Sequence, residues 1–230
     1  MTLFFVHGLG SNKKIWGPLI QELKEEKGCL AIDLPGHGND TSFFPKTIAE
    51  VCSYLESDLI KNKVNEKIVF IGHSLGGLIG ILFTSLFPEK VEKLILINTH
   101  YKIDLHPLVV QSAQNGAILS DFVLQSIGPT ADPACKERIL REVGPLLLNT
   151  SLEGIADLDV LDLKELAQKI HCPTLIFAGG QDPVLSPRKT ALLASSIPQS
   201  CLNIFPDAGH YVHVEKQTET IQMIKEFLRR

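Results

Sequence analysis

From Ile68 to Phe83 the chain runs through four apolar residues, then Gly72-His73-Ser74-Leu75-Gly76, then a second apolar run, Leu78–Phe83, carrying Gly80. A short apolar run bounded by glycine predicts a buried strand, and the longer run after it predicts a helix. A strand that enters a helix through so tight a turn forces the residue at its apex into a strained backbone conformation. Only neighbours without a Cβ leave room for it, which is the place of Gly72 and Gly76. The apex residue is a serine, so its hydroxyl stands clear of the sheet. The Leu75 amide opens the helix beside it, placing a backbone donor and a positive helix end next to any oxygen that Ser74 attacks. The turn lacks the Gly-x-Gly-x-x-Gly and Gly-x-x-x-x-Gly-Lys-Ser/Thr patterns that would make it a dinucleotide or phosphate cradle.

The same strand-then-helix rhythm recurs along the chain. Apolar runs at Leu3–Val6, Cys29–Ile32, Leu94–Ile97, Thr174–Ala178 and Cys201–Phe205 predict five more strands. Helical spacing appears after most of them: Trp16, Leu19, Ile20 and Leu23; 47–59 with Ile48, Val51, Cys52, Leu55 and Leu59; Leu192 and Leu193; and 218–228. Strands apolar on both faces and alternating with helices predict an α/β fold with a parallel sheet covered on both sides. Such sheets bind ligands beyond the carboxyl ends of their strands. His7, Asp33, Ser74, Asn98, Asp182 and His210 each follow a strand, so the topology predicts that they converge on one rim. Between Tyr101 and Lys169 no strand pattern occurs. Short amphipathic pieces punctuated by Asn115-Gly116, Gly128-Pro129, Asp132-Pro133, Gly144-Pro145 and Gly154 predict a helical insertion.

A serine needs a base to become a nucleophile near neutral pH, and a histidine suits because its ordinary pKa is near 6.5. His210, in an Asp-Ala-Gly loop, fills that place. An imidazole in turn needs a carboxylate to fix its tautomer and stabilise its cation, and Asp182 ends the preceding strand. Asp104, Asp157 and Asp159 are competing acids.

The order Ser74, Asp182, His210, together with His7-Gly8, Asp33-Leu34-Pro35-Gly36-His37-Gly38 and Gly209-His210, resembles the α/β-hydrolase family along most of the chain. The resemblance implies an α/β-hydrolase core at 1–100 and 170–230 and a helical cap at 101–169. It implies an ester-cleaving serine hydrolase working through an acyl-enzyme, in which the Leu9 amide joins that of Leu75 in the oxyanion hole. No cofactor and no metal are expected. Family members that carry the acid after the fourth of these strands would need a carboxylate near Asn98, where this chain has an amide. The turn from Asp33 to Gly38 reads as a shaping element beside the site rather than a chemical one. His213 reads as a residue near the pocket or packed on the last helix, and Trp16 as core or pocket wall. The family has a strand hairpin before the first strand seen here. Without residues for it, six parallel strands are expected, with an extra sheet edge exposed and a monomer or homodimer as the assembly. C–C bond hydrolases, acyl-carrier methyl ester esterases and receptor-like proteins of the same family stand as alternatives.

Composition narrows the partners. The 230 residues carry a formal charge of −4 with 44% hydrophobic and 21% charged residues, which leaves no basic field for nucleic acid. The five cysteines have neither Cys-x-x-Cys nor paired Cys/His spacing and read as reduced thiols, which predicts a cytoplasmic protein. No apolar run approaches the ~18 residues that span a membrane. Lys136, Arg138 and Arg141 lie on neighbouring turns of one helix of the insertion and read as a solvated basic face. An acyl-carrier protein would dock there. The insertion nevertheless holds more acidic than basic residues, among them Asp157, Asp162 and Glu165, which favours a small free ester.

Overall fold

The computed structural model describes residues 1–25, 27–42, 45–103, 105, 107, 120–143, 157–158 and 160–230. Six strands form one sheet: β1 (Thr2–Val6), β2 (Gly28–Ile32), β3 (Ile68–His73), β4 (Val91–Ile97), β5 (Thr174–Gly179) and β6 (Ser200–Phe205). Their spatial order is β2-β1-β3-β4-β5-β6, and every neighbouring pair is parallel. The fourth strand starts three residues earlier than its apolar run, because Glu92 alone of Val91–Lys93 faces solvent.

Side chains alternate across the sheet, so each inner strand feeds two cores. On one face Phe4, Val6, Phe70, Leu94, Leu96 and Ile176 pack against α2 (Ile48–Lys61) and α3 (Leu75–Leu86). On the other, Leu3, Phe5, Val69, Ile71, Ile95 and Phe177 pack against α1 (Gly17–Leu23) and the last helix. Each such side chain, fully buried, stabilises the fold by about 1.5–3 kcal/mol relative to leaving it in water. This double burial is why the strands read as continuous apolar runs.

A 3₁₀ turn at Lys13–Trp16 precedes α1 and buries Ile15 and Trp16. The Thr47 hydroxyl accepts from the Glu50 amide to cap α2, and the Asp157 carboxylate accepts from the Ile48 amide at 3.0 Å. Between β4 and β5 the described helices are α4 (Ser120–Gln125), α5 (Pro133–Glu142) and α6 (Lys164–Ala167), with Leu158, Leu163 and Ala167 packed into the first core. After β5 come α7 (Pro187–Ser196), then β6, α8 (Val212–Glu215) and α9 (Gln217–Arg229). The turn signals at Asn115-Gly116, Gly144-Pro145 and Gly154 lie outside the described residues. β2 stands at one edge of the sheet, with Gly28 exposed and Cys29, Leu30 and Ala31 half-buried. Among the described residues no helix is long and apolar enough to cross a membrane.

One expectation for the insertion is corrected. Arg138 is not on a solvated face: its guanidinium donates to the Ile15 carbonyl at 2.6 Å and to Gln217 Oε1 at 3.0 Å, tying α5 to the 3₁₀ turn and to α9. Arg141 does stay exposed, paired with Glu142 at 3.0 Å. Helical spacing alone could not separate the two, because the partners of Arg138 come from both ends of the chain.

Candidate active site

Ser74 sits between β3 and α3 with φ 52° and ψ −116°, a conformation that costs a non-glycine residue on the order of 1–3 kcal/mol. The surroundings hold it there. Its amide donates to the Ile97 carbonyl at 2.9 Å, and its carbonyl accepts from Thr99 Oγ1 at 2.7 Å. A Cβ on Gly72 would collide with the Gly76 carbonyl, and one on Gly76 with the carbonyls of Val6 and His7. The two glycines thus let the start of α3 lie directly against the end of β1, where the Leu9 loop begins. Neither the Leu9 nor the Leu75 amide has a hydrogen-bond partner among the described residues.

Asp182 lies in the turn that follows β5 and is buried. Its Oδ1 accepts from the Val184 and Leu185 amides at 2.8 and 2.9 Å; its Oδ2 accepts from His210 Nδ1 at 2.7 Å and from Asn98 Nδ2 at 2.8 Å. Burial alone would push this carboxyl up. The neighbouring His210 charge and hydrogen bond, with the Leu185 and Asn98 donors, more than offset it and hold the carboxyl below its ordinary value. With the Nδ1–H of His210 donated to Asp182, the other ring nitrogen is left as the free acceptor.

The backbone carrying His210 is pinned from four directions. Its own amide donates to the Ser126 carbonyl at 2.7 Å, and its carbonyl accepts from His73 Nε2 at 2.8 Å. Glu215 receives the Gly209 amide at 2.8 Å and the Tyr211 amide at 3.0 Å, and Asn98 Nδ2 reaches the Gly209 carbonyl at 3.2 Å. Ser74 and His210 line one cleft together with Asn98, Thr99, His100, Ile103, Val184 and Leu185. Among the described residues no hydrogen bond joins Ser74 Oγ to His210; in unliganded sites such contacts commonly tighten only when substrate arrives.

Of the residues expected on one rim, Ser74, Asn98, Asp182 and His210 are brought together, with three refinements. Asn98, at φ 45°, clasps both Asp182 and the His210 loop. His73 and Glu215 also hold that loop; His73 had a signal, as the residue directly before the apex serine, whereas Glu215 had none. Of the competing acids, Asp157 is engaged at the start of α2, and Asp104 and Asp159 lie outside the described residues. Asp33 accepts from the Lys13 and Asn39 amides at 2.8 and 3.2 Å, so its turn is a shaping element as expected. His213 is buried between Trp16 and His73, with ring centroids 4.5 Å from each. Neither of its ring nitrogens has a partner among the described residues, nor does Trp16 Nε1.

Residues 3–222 match the sequence profile of the alpha/beta hydrolase family. The chain belongs to the alpha/beta hydrolase family. Among curated relatives of this hydrolase, a putative esterase/lipase from Haemophilus influenzae is 26% identical over 247 residues, spanning 100% of this chain and 83% of that protein. Esterase YbfF from Escherichia coli is 25% identical, with 98% and 92% covered. Among solved structures, the enol-lactonase from Burkholderia xenovorans superposes with a TM-score of 0.86 at 24% identity, covering 100% of this hydrolase and 91% of that chain. A thermophilic esterase from Thermogutta terrifontis gives 0.80 at 24%, covering 100% and 89%. The chain is thus an esterase/lipase-like hydrolase of the α/β fold.

Proposed function

We propose that the protein cleaves a small carboxylic ester through an acyl-enzyme. Ser74 Oγ attacks the ester carbonyl while the free ring nitrogen of His210 takes its proton. Asp182 holds the imidazole in the required tautomer and stabilises the cation that forms. The oxyanion lies between the Leu9 and Leu75 amides, at the positive end of α3. His210 then protonates the departing alcohol. In the second half, the same nitrogen draws a proton from water, the hydroxide attacks the acyl carbonyl, and Ser74 leaves with the proton returned.

The observation that carries this reading is a serine held at positive φ on a strand-to-helix elbow, in one cleft with a histidine bonded at 2.7 Å to a buried carboxylate. The esterase and lipase names of the relatives favour an ester as substrate. In this reading residues 101–169 form the cap over the site, with Ile103 as an apolar wall of the cleft beside Val184 and Leu185. All five cysteines are free thiols, consistent with the reducing cytoplasm as the working compartment.

The test is turnover of short p-nitrophenyl esters. The parent protein is expected to hydrolyse them, and Ser74→Ala to lose about a million-fold in kcat while still folding. Comparable turnover by the two proteins would overturn the assignment.

A further inference from the structure

The residue just before the Leu9 loop makes two hydrogen bonds that fix the direction of a neighbouring peptide. His7 is completely buried at the end of β1. Its Nε2 accepts from the Leu34 amide at 3.0 Å, which leaves the ring proton on Nδ1. Nδ1 lies 2.8 Å from the Gly8 carbonyl and donates to it. The same carbonyl accepts from the Ser11 amide at 3.2 Å, closing a tight turn whose third residue, Gly10, takes φ 69°. Both contacts fix the direction in which the Gly8 carbonyl points. In a trans peptide the carbonyl and the next N–H point in opposite directions, so holding the Gly8 oxygen aims the Leu9 N–H the other way.

We propose that His7 is a positioning residue for the oxyanion hole: its Nδ1–H, bonded to the Gly8 carbonyl, aims the Leu9 amide at the reacting carbonyl oxygen. The inference rests on the reading of Ser74 as nucleophile and of the Leu9 amide as an oxyanion donor. A rigid donor matters because an oxyanion hole stabilises charge only where its donors are already oriented when the charge develops. Backbone N–H groups on a loop would otherwise reorient toward solvent. His7 prevents this from within the fold, since Leu34 belongs to the turn after β2 and anchors the far side of the ring. Burial keeps the ring neutral, lowering its pKa to about 3, so the Nδ1 donor and Nε2 acceptor persist over the working pH range.

Two substitutions separate aiming from mere support. The amide nitrogen of asparagine sits where Nδ1 sits in histidine, so His7→Asn retains a donor for the Gly8 carbonyl and loses the acceptor for Leu34. The amide oxygen of glutamine reaches the place of Nε2, so His7→Gln retains the acceptor and loses the near donor. His7→Phe loses both. With a short p-nitrophenyl ester, His7→Gln and His7→Phe are expected to lower kcat by about 10²–10³, the effect of removing one oxyanion donor, with KM nearly unchanged. His7→Asn is expected to keep kcat within about tenfold of the parent, since its donor is retained. Thermal melts accompany the kinetics; should His7→Phe fail to fold, the Asn and Gln variants, close in size and polarity, still decide. Equal kcat losses in Asn and Gln, or a change confined to KM, would overturn the proposal. Ser74→Ala in parallel keeps the two readings apart. If Ser74→Ala is inactive while His7→Gln turns over like the parent, the role given to His7 is wrong. If Ser74→Ala stays active, the fault lies in the nucleophile.

Discussion

At the scale of single residues, the site depends on a carboxylate with no free lone-pair direction. Asp182 accepts four hydrogen bonds, two from backbone amides after β5, one from Asn98 and one from His210. An Asn at position 182 would present an amide nitrogen or a weaker acceptor to His210 and let the imidazole adopt the other tautomer. Asp182→Asn should therefore lower kcat by about 10⁴. Asp157→Asn, whose carboxylate serves the start of α2, should leave turnover unchanged. Steady-state kinetics of the two variants check this, and the opposite ranking would move the acid. The two residues at positive φ beside the site, Ser74 and Asn98, each store backbone strain that their hydrogen bonds over-determine. One has its place in the proposed chemistry and the other clasps the loop that carries the base.

At the scale of elements, the contact between α3 and β1 brings the serine and the Leu9 loop together. Gly76 lies where the first turn of α3 meets the carbonyls of Val6 and His7, with no space for a methyl group. Gly76→Ala should force the helix off the strand, costing about 1–3 kcal/mol as other overpacked sites do. It should also depress kcat, since both amides of the proposed oxyanion hole move. A denaturant melt combined with an ester assay tests both parts, and unchanged stability would mean that the helix and the strand leave room for a methyl group. This contact was legible in the sequence because it is local: the glycines flank the serine, and the strands announce themselves as apolar runs by being buried on both faces. The convergence of Asp182 and His210 was legible for a related reason, since parallel strands deliver their following residues to one rim. The supports of that rim were not. Asn98 meets Asp182 across 84 residues, and His73 meets the His210 carbonyl across 137. Glu215 clamps a loop by backbone amides that carry no residue identity. Arg138 was misread because helical spacing shows which side chains share a face, not what that face meets.

For the molecule as a whole, the unusual feature is the number of buried histidines. Burial lowers the pKa of His7 and His73 to about 3, that of His37 below its ordinary value, and that of His213 well below it. His7, His73 and His213 therefore stay neutral in the folded protein well below pH 6.5, and His37 is shifted in the same direction, while the unfolded chain binds protons at the ordinary value near 6.5. Their folded pKa values are depressed, so this stability is present above pH ~6.5 and is lost as pH falls below it, at up to about 1.4 kcal/mol per pH unit for each histidine. Against a typical stability of about 5–15 kcal/mol, the three strongly shifted rings are enough to bring the protein close to unfolding near pH ~4. The depressed carboxyl of Asp182 acts later, since its contribution persists down to its ordinary range near pH 4. Urea melts from pH 7 to 5 should show stability falling with a slope approaching about three protons or more, reduced by about one in His213→Phe. A flat profile over that range would contradict the burial of these rings. In the proposed chemistry one serine, on the β3–α3 elbow, forms the covalent intermediate. Treating the folded protein with a fluorophosphonate and mapping the adduct by peptide mass spectrometry checks this. The expected result is one equivalent on Ser74, with esterase activity lost in proportion to labelling; an adduct on another residue, or full labelling with activity intact, would contradict it.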